Sequence, residues 1–169
     1  MHDELPVITP GNDFLCDVGG IFFRAVARDR IASALAGSHG AGRYAAPHQP
    51  TLYLSVSPEG VSGAMRAHGG MEDGTRTMLS FRVAAEVIFD LGDPAALTRA
   101  RDEAGEPFGE WQQLAANGGE PPSWGVRNWI EAQGANGLID PSRQVPGLWH
   151  LVLFRWNVPG APRVEPISR

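Results

Sequence analysis

Two stretches, GAGRYAAPHQPTLYLSVSP at Gly40–Pro58 and GLIDPSRQVPGLWHLVLF at Gly137–Phe154, decide how this chain is read. In the first, a glycine-broken loop delivers Arg43. Ten residues later Tyr53 sits in a compact apolar run, LYLSV, that reads as a buried strand. In the second, Pro141 and Ser142 follow the strand-like GLI and precede a further strand, WHLVLF. Together they gather an arginine, a tyrosine and a serine around one anionic ligand. A fixed cation beside an aromatic platform suits a molecule that carries both phosphate and a flat ring.

Outward from these stretches, strands alternate with short helices that never repeat. Ile21–Val26 (IFFRAV) is predicted as a strand with Arg24 embedded in it, followed by a short helical stretch near Ile31–Ala36. Gly37, Gly40 and Gly42 make the next loop permissive. After the Tyr53 strand, Ser57 and Pro58 have the form of an N-cap and first-turn proline, opening a helix through about His68. Thr77–Phe89 is β-rich, and helices are predicted around Ala95–Glu103, within Pro107–Gly119, and over SWGVRNWIEAQ after Pro121 and Pro122. In the last of these, Trp124, Val126, Trp129 and Ile130 give the apolar face. Crossover helices this irregular point to α+β rather than a regular parallel α/β sheet. The segments on either side, 1–19 and 159–169, read as an irregular lead-in and a tail around one domain at 20–158.

Composition narrows the function classes. At 169 residues the chain is near single-domain size, long enough to bury roughly 70% of its unfolded surface without staples. The lone Cys16 rules out an intrachain disulfide and a cysteine-based zinc site, and fits a reducing compartment. No apolar run reaches membrane-span length and no signal peptide is visible, so a cytoplasmic location is expected. The net charge of -5 argues against direct nucleic-acid binding. All 14 basic residues are arginine; arginine suits bidentate phosphate contacts, although a total absence of lysine reflects genome composition. A P-loop is impossible without lysine, no G-x-G-x-x-G opens a helix after a strand, and no G-x-S-x-G elbow supplies a hydrolase serine. His39 and His48 flank Arg43 without metal-ligand spacing, and no metal is expected.

Five ordered blocks, FFRAV, GAGRY, TLYLSVSPEG, FRVAAEVIFDLGDP, and GLIDPSR followed by LVLF, give the chain from about Gly20 to Trp156 a resemblance to the RES domain. That family is the toxin half of bacterial toxin–antitoxin modules. The resemblance implies an ADP-ribosyltransferase-like split β-sheet core with short flanking helices, acting on NAD either to degrade it or to transfer its ADP-ribose to a target protein. It implies that Arg24 and Arg43 hold the pyrophosphate or ribose hydroxyls and that Tyr53 stacks on nicotinamide. Ser142 would bond the nicotinamide end or brace an arginine. Independently of the resemblance, His68 at the end of the Ala64 helix is expected to orient the ligand or contact a ribose. The implied partner is an Xre-like antitoxin with a helix-turn-helix half, whose other end plugs the cleft.

One position departs from the pattern. Where the family has a glutamate, eleven residues after the tyrosine, this chain has Ala64. Such a glutamate would stabilise the positive charge that develops on the ribose as the C–N bond breaks. Its loss costs about 10²- to 10³-fold in rate. Three readings account for it: a weakened domain, another acid standing in, or an inactivating substitution that lets a toxic protein be produced. The intactness of the other positions favours the last. Glu59 lies on a different helical face, and Glu72 and Asp73 fall in a glycine-flanked loop. A catalytically dead NAD-binding or interaction module on the same scaffold is the alternative.

Each residue also has an ordinary structural role. Arg24 fits an edge-strand surface position, Arg43 a solvated loop, Tyr53 the core, Ser142 a turn cap, and His68 a helix C-terminus. The tryptophans need only core packing.

Overall fold

The structure is a computed structural model that describes residues 5–66 and 74–167. Its strands are β1 (Val7–Pro10), β2 (Leu15–Ala27), β3 (Leu52–Ser55), β4 (Arg76–Asp90), β5 (Gly137–Pro141), β6 (Trp149–Leu153) and β7 (Arg163–Pro166). The helices are α1 (Pro58–Arg66), α2 (Pro94–Glu103), α3 (Gln112–Ala116) and α4 (Pro122–Ala132), with a 3-10 segment at Arg28–Ala36.

The long strands β2 and β4 form an antiparallel spine, from Leu15↔Phe89 to Ala27↔Arg76. Strict alternation explains β4: Phe81, Val83 and Ala85 are buried while Arg82, Ala84 and Glu86 are exposed. On β2, Val18, Phe22 and Val26 take the buried side. A register shift between Cys16 and Val18 faces Val87, which has φ 60. That irregularity lets the outer edge of β4 pair with β7 over Phe81–Ala84 and then with β5 over Ile88–Asp90. Only the β4–β5 pairing is parallel among the named strands.

Because β2 pairs with both β3 and β4, the strands β2, β3, β6, β5 and β4 close into a ring, with β1 and β7 added to its margins. Phe22, Val26, Leu52, Leu54, Phe81, Val83, Ile139, Leu151 and Leu153 pack inside it. A second core, with Leu138 and Val152 from the ring and Ala96, Ala100, Val126 and Ile130 from α2 and α4, lies against its outer side. The ring has a seam: β2 and β3 share one residue pair, Phe23↔Ser55.

The observed α+β class, a mixed sheet with flanking helices, agrees with the reading of the sequence. Helix starts follow local chemistry. Ser57 Oγ accepts the Gly60 N–H at α1, Asp93 Oδ1 accepts two N–H groups ahead of Pro94 at α2, and Pro122 opens α4. Three expectations are corrected. The lead-in over 1–19 contains β1 and the first part of β2, because Leu15, Cys16 and Val18 find partners on β4. The tail contains β7, whose pairing comes from β4 rather than from its own short, proline-flanked sequence. Within Pro107–Gly119 only Gln112–Ala116 is helical, since the stretch before it is an irregular turn. No described helix is long and apolar enough to cross a membrane. Cys16 is buried, its thiol donates to the Ile88 carbonyl, and burial, with Asp90 and Asp17 adding to it, pushes its pKa up to about 12.

Candidate active site

The loop that carries Arg43 is fixed from above by α4. Three successive carbonyls are taken by three α4 side chains: Gly42 O accepts from Trp124 Nε1 at 2.7 Å, Arg43 O from Ser123 Oγ, and Tyr44 O from Arg127 Nη1 at 2.9 Å. Below, Gly42 lies so close to Tyr53 that an added Cβ would stand 2.6 Å from its hydroxyl. Glycine is needed there for close approach, not for an unusual φ. Trp124, expected only as core packing, is thus part of the clamp.

The Arg43 guanidinium is held by neutral groups, with Nη1 donating to Gly109 O at 2.6 Å and to Pro107 O at 3.3 Å. Burial lowers its pKa, and the nearby charge of Arg143 lowers it further. Tyr53 stands on the outer side of β3, opposite in direction to the inward Leu52 and Leu54. Its hydroxyl accepts the Tyr44 N–H at 3.3 Å, and burial pushes its pKa up to about 12. The phenol is therefore neutral at physiological pH. Arg43 and Tyr53 are brought together, as the sequence implied.

A buried acid ties the next layer. Asp140 Oδ1 accepts from Tyr44 Oη at 2.9 Å, and both Asp140 oxygens accept from Arg143, at 2.9 and 3.2 Å. Burial raises the Tyr44 pKa well above its ordinary value, with Asp140 adding to the rise. Burial alone would lower the Arg143 pKa, but bonding to Asp140 outweighs it and the net direction is upward. The Arg143 guanidinium also lies 5.2 Å from the Phe108 ring centre.

Arg24 is placed differently. Alternation along β2 puts it on the side of Phe22 and Val26, so it meets Tyr53 through the backbone, Nη1 donating to Tyr53 O at 3.3 Å across the β2–β3 seam. Its Nε is sealed from solvent without a partner, and burial followed by the charge of Arg76 lowers its pKa. Neither Arg24 nor Arg43 has a carboxylate partner among the described residues.

Ser142 is a turn residue: its Oγ accepts the Val145 N–H at 3.0 Å and its own N–H donates to Leu148 O. Asp140, not Ser142, braces Arg143. Ala64 is exposed on α1, and His68, Glu72 and Asp73 lie outside the described residues. The sequence reading missed Tyr44, Asp140, Arg143, Arg127 and the pair Ser55–His150, joined at 2.6 Å. A signal for two of them was present in the quoted text, since Tyr44 and Arg143 directly follow the residues singled out.

Among the described residues no group of three or more histidine, cysteine, aspartate or glutamate side chains could hold a metal ion. The groove lined by Val7, Gly19, Arg82 and Ala84 contains none of the site residues Arg24, Arg43, Tyr44, Tyr53, Asp140 and Arg143.

No curated protein matches the chain. A solved structure similar in fold is that of the M. tuberculosis MbcT–MbcA toxin–antitoxin complex, one chain of which superposes with a TM-score of 0.60 at 17% identity, covering 91% of this chain and 84% of that one. The family model described as the RES domain matches residues 21–169, a span that holds Arg24, the clamped Arg43 loop, Tyr53 and the Asp140–Arg143 turn, and the chain belongs to the RES domain family.

Proposed function

We propose that the protein is the toxin of a toxin–antitoxin pair and that it cleaves the nicotinamide–ribose bond of NAD. The observation that carries this reading is the pair of guanidiniums on either side of Tyr53, Arg24 and Arg43, both partly desolvated and both bonded, among the described residues, to neutral carbonyls alone, with Arg24 Nε left without a partner. A buried cation without a counter-ion is costly. An anionic ligand with a pyrophosphate would supply the missing charge. Arg43 is pre-oriented for it by the Pro107 and Gly109 carbonyls, so little side-chain freedom remains to be lost on binding. Tyr53, a neutral phenol, offers a ring for the nicotinamide, and Ser142 retains a hydroxyl proton to donate. Because the leaving group is already a pyridinium cation, it departs neutral and needs no general acid. Positioning and stabilisation of the oxocarbenium-like state carry the chemistry.

Calorimetric titration with NAD tests the anchor. Arg43→Ala is expected to weaken binding by about 1.5 to 3 kcal/mol, the scale of a hydrogen bond to a charged group. Arg43→Lys should recover only part, because a lysine has no planar fork, which in Arg43 can hold both carbonyls with Nη1 and offer its remaining N–H groups to a phosphate. Unchanged affinity in a folded Arg43→Ala protein removes Arg43 from the site.

The implied antitoxin would act by covering this cleft, at the cost to itself of ordering a segment over it. Such a stable interface buries about 1,200 to 2,000 Å² in total. Hydrogen exchange in the presence of the partner should protect 37–53 and the turn at Ser142. Protection confined to 159–169 would place the partner elsewhere. A catalytically silent module on the same scaffold is the second reading, and Ala64 is the observation that favours it.

A further inference from the structure

Three side chains stand in one row across the outer side of the ring. Ser55 on β3 is in register with His150 on β6, and His150 is in register with Asp140 on β5. Tyr53 is two residues from Ser55 on the same side of β3. The Ser55 hydroxyl and His150 Nδ1 are 2.6 Å apart, which fixes the ring plane. The other nitrogen, Nε2, makes no hydrogen bond among the described residues, and since Arg24 Nε is the one sealed unpartnered side-chain nitrogen or oxygen among them, Nε2 is not sealed from solvent. The row is not a Ser–His–Asp relay. Both Asp140 oxygens are committed to Arg143 and Tyr44, and Ser55 is buried, so neither an orienting acid nor an accessible nucleophile is present.

We propose that His150 is a catalytic residue, the general base that activates water as the acceptor of ADP-ribose. The inference rests on the NAD reading above. With Nδ1–H donated to Ser55 Oγ, the Nε2 lone pair takes a proton from water as the water oxygen bonds to C1′ of the ribose. The C1′–N bond breaks with its electron pair going to the nicotinamide, and His150 later releases the proton to solvent. The products are nicotinamide and ADP-ribose.

A base must be unprotonated at working pH. Burial lowers the His150 pKa below its ordinary value of 6.5, the charge of Asp140 opposes this, and Arg143 adds to the lowering. Among the described residues these are the charged groups that act on it; β3 presents Ser55, and the first turn of α1 lies over Ser55 through Gly60. The imidazole is thus neutral at pH 7 and becomes protonated as the pH falls through its lowered value.

The test measures NAD hydrolysis in phosphate-free buffer against pH, with calorimetric NAD binding alongside, in the unchanged chain and in Ala64→Glu, each with and without His150→Gln. Turnover should fall on the acid side in the parents, and His150→Gln should lower the plateau by about 10²-fold and flatten that acid limb, while NAD affinity stays within about twofold. Added imidazole should restore part of the rate to His150→Ala, which a purely structural histidine would not allow. If neither variant folds, the His150 ring proton followed by NMR in the unchanged chain should titrate at a different pH once ADP-ribose is bound. NAD binding and full turnover in folded His150→Gln, with the acid limb retained, overturns the base and leaves the NAD reading intact. So does an unmoved titration. Loss of NAD binding in the parents, or binding without hydrolysis in both, removes the step and the proposal with it.

Discussion

Ala64→Glu is expected to raise NAD turnover by about 10²- to 10³-fold, the worth of one preorganised charge at a developing cation. Position 64 is exposed while Val61 anchors the helix in the core, so the longer side chain displaces no packed atoms. No other described acid is ready to replace it: Asp140 is the buried carboxylate nearest Tyr53's network, and Arg143 and Tyr44 occupy both its oxygens. NAD binding should change far less than the rate, because the carboxylate acts mainly on charge that exists only at the transition state. Ala64→Gln, of similar size but uncharged, should give little of the gain. Expression of Ala64→Glu without a partner should slow growth as NAD falls or a target is modified. A folded Ala64→Glu protein that binds NAD yet neither hydrolyses it nor labels a protein would move the reading to the silent scaffold.

How much of this is legible before the structure depends on whether the signal is local. The β3 strand, the Ser57–Pro58 start of α1, the Asp93–Pro94 cap of α2 and the proline start of α4 each announce themselves within a few residues, and all form. The β1 and β7 strands do not, because their stability comes from β2 and β4 rather than from their own four residues. Ring closure through Phe23↔Ser55 is likewise a non-local fact. At the site, Arg43 follows from its glycine loop and Tyr53 from the family resemblance, and the Tyr53 hydroxyl bonds the main chain beside Arg43. Arg24 follows from the same resemblance, but strand alternation, visible in Phe22 and Val26, puts its side chain on the inward side and leaves the main chain of Tyr53 as its contact. Asp140 gave no warning because an acid beside proline reads as a turn; its register with His150 exists only once β5 and β6 pair.

The largest loss of stability is expected from Arg127→Ala, at a position that helical patterning alone assigns to the polar side of α4. Arg127 is 2% exposed, its Nη1 bonds Tyr44 O and Thr51 Oγ1, its Nε bonds Glu131, and its guanidinium carbon lies 4.4 Å from the Phe154 ring centre. Truncation leaves the Tyr44 carbonyl and the fully buried Thr51 hydroxyl without this donor and opens a cavity, together about 3 to 4 kcal/mol. For a chain of this size that lowers Tm by about 10 °C. The ion pair is half-buried, with Arg127 at 2% and Glu131 at 47% side-chain exposure, so solvent screens it in part and its loss costs about 1 kcal/mol, while Arg127 keeps Tyr44 O, Thr51 Oγ1 and the Phe154 ring. Glu131→Ala should therefore lose clearly less stability than Arg127→Ala. Equal destabilisation by the two variants would assign the effect to the ion pair instead. Because the bond that Arg127 makes to Tyr44 O is one of the three that clamp the Arg43 loop, the same variant should also weaken NAD binding at temperatures where it remains folded. Glu131→Ala should bind NAD as the parent does, which separates loss of the clamp from loss of the charge.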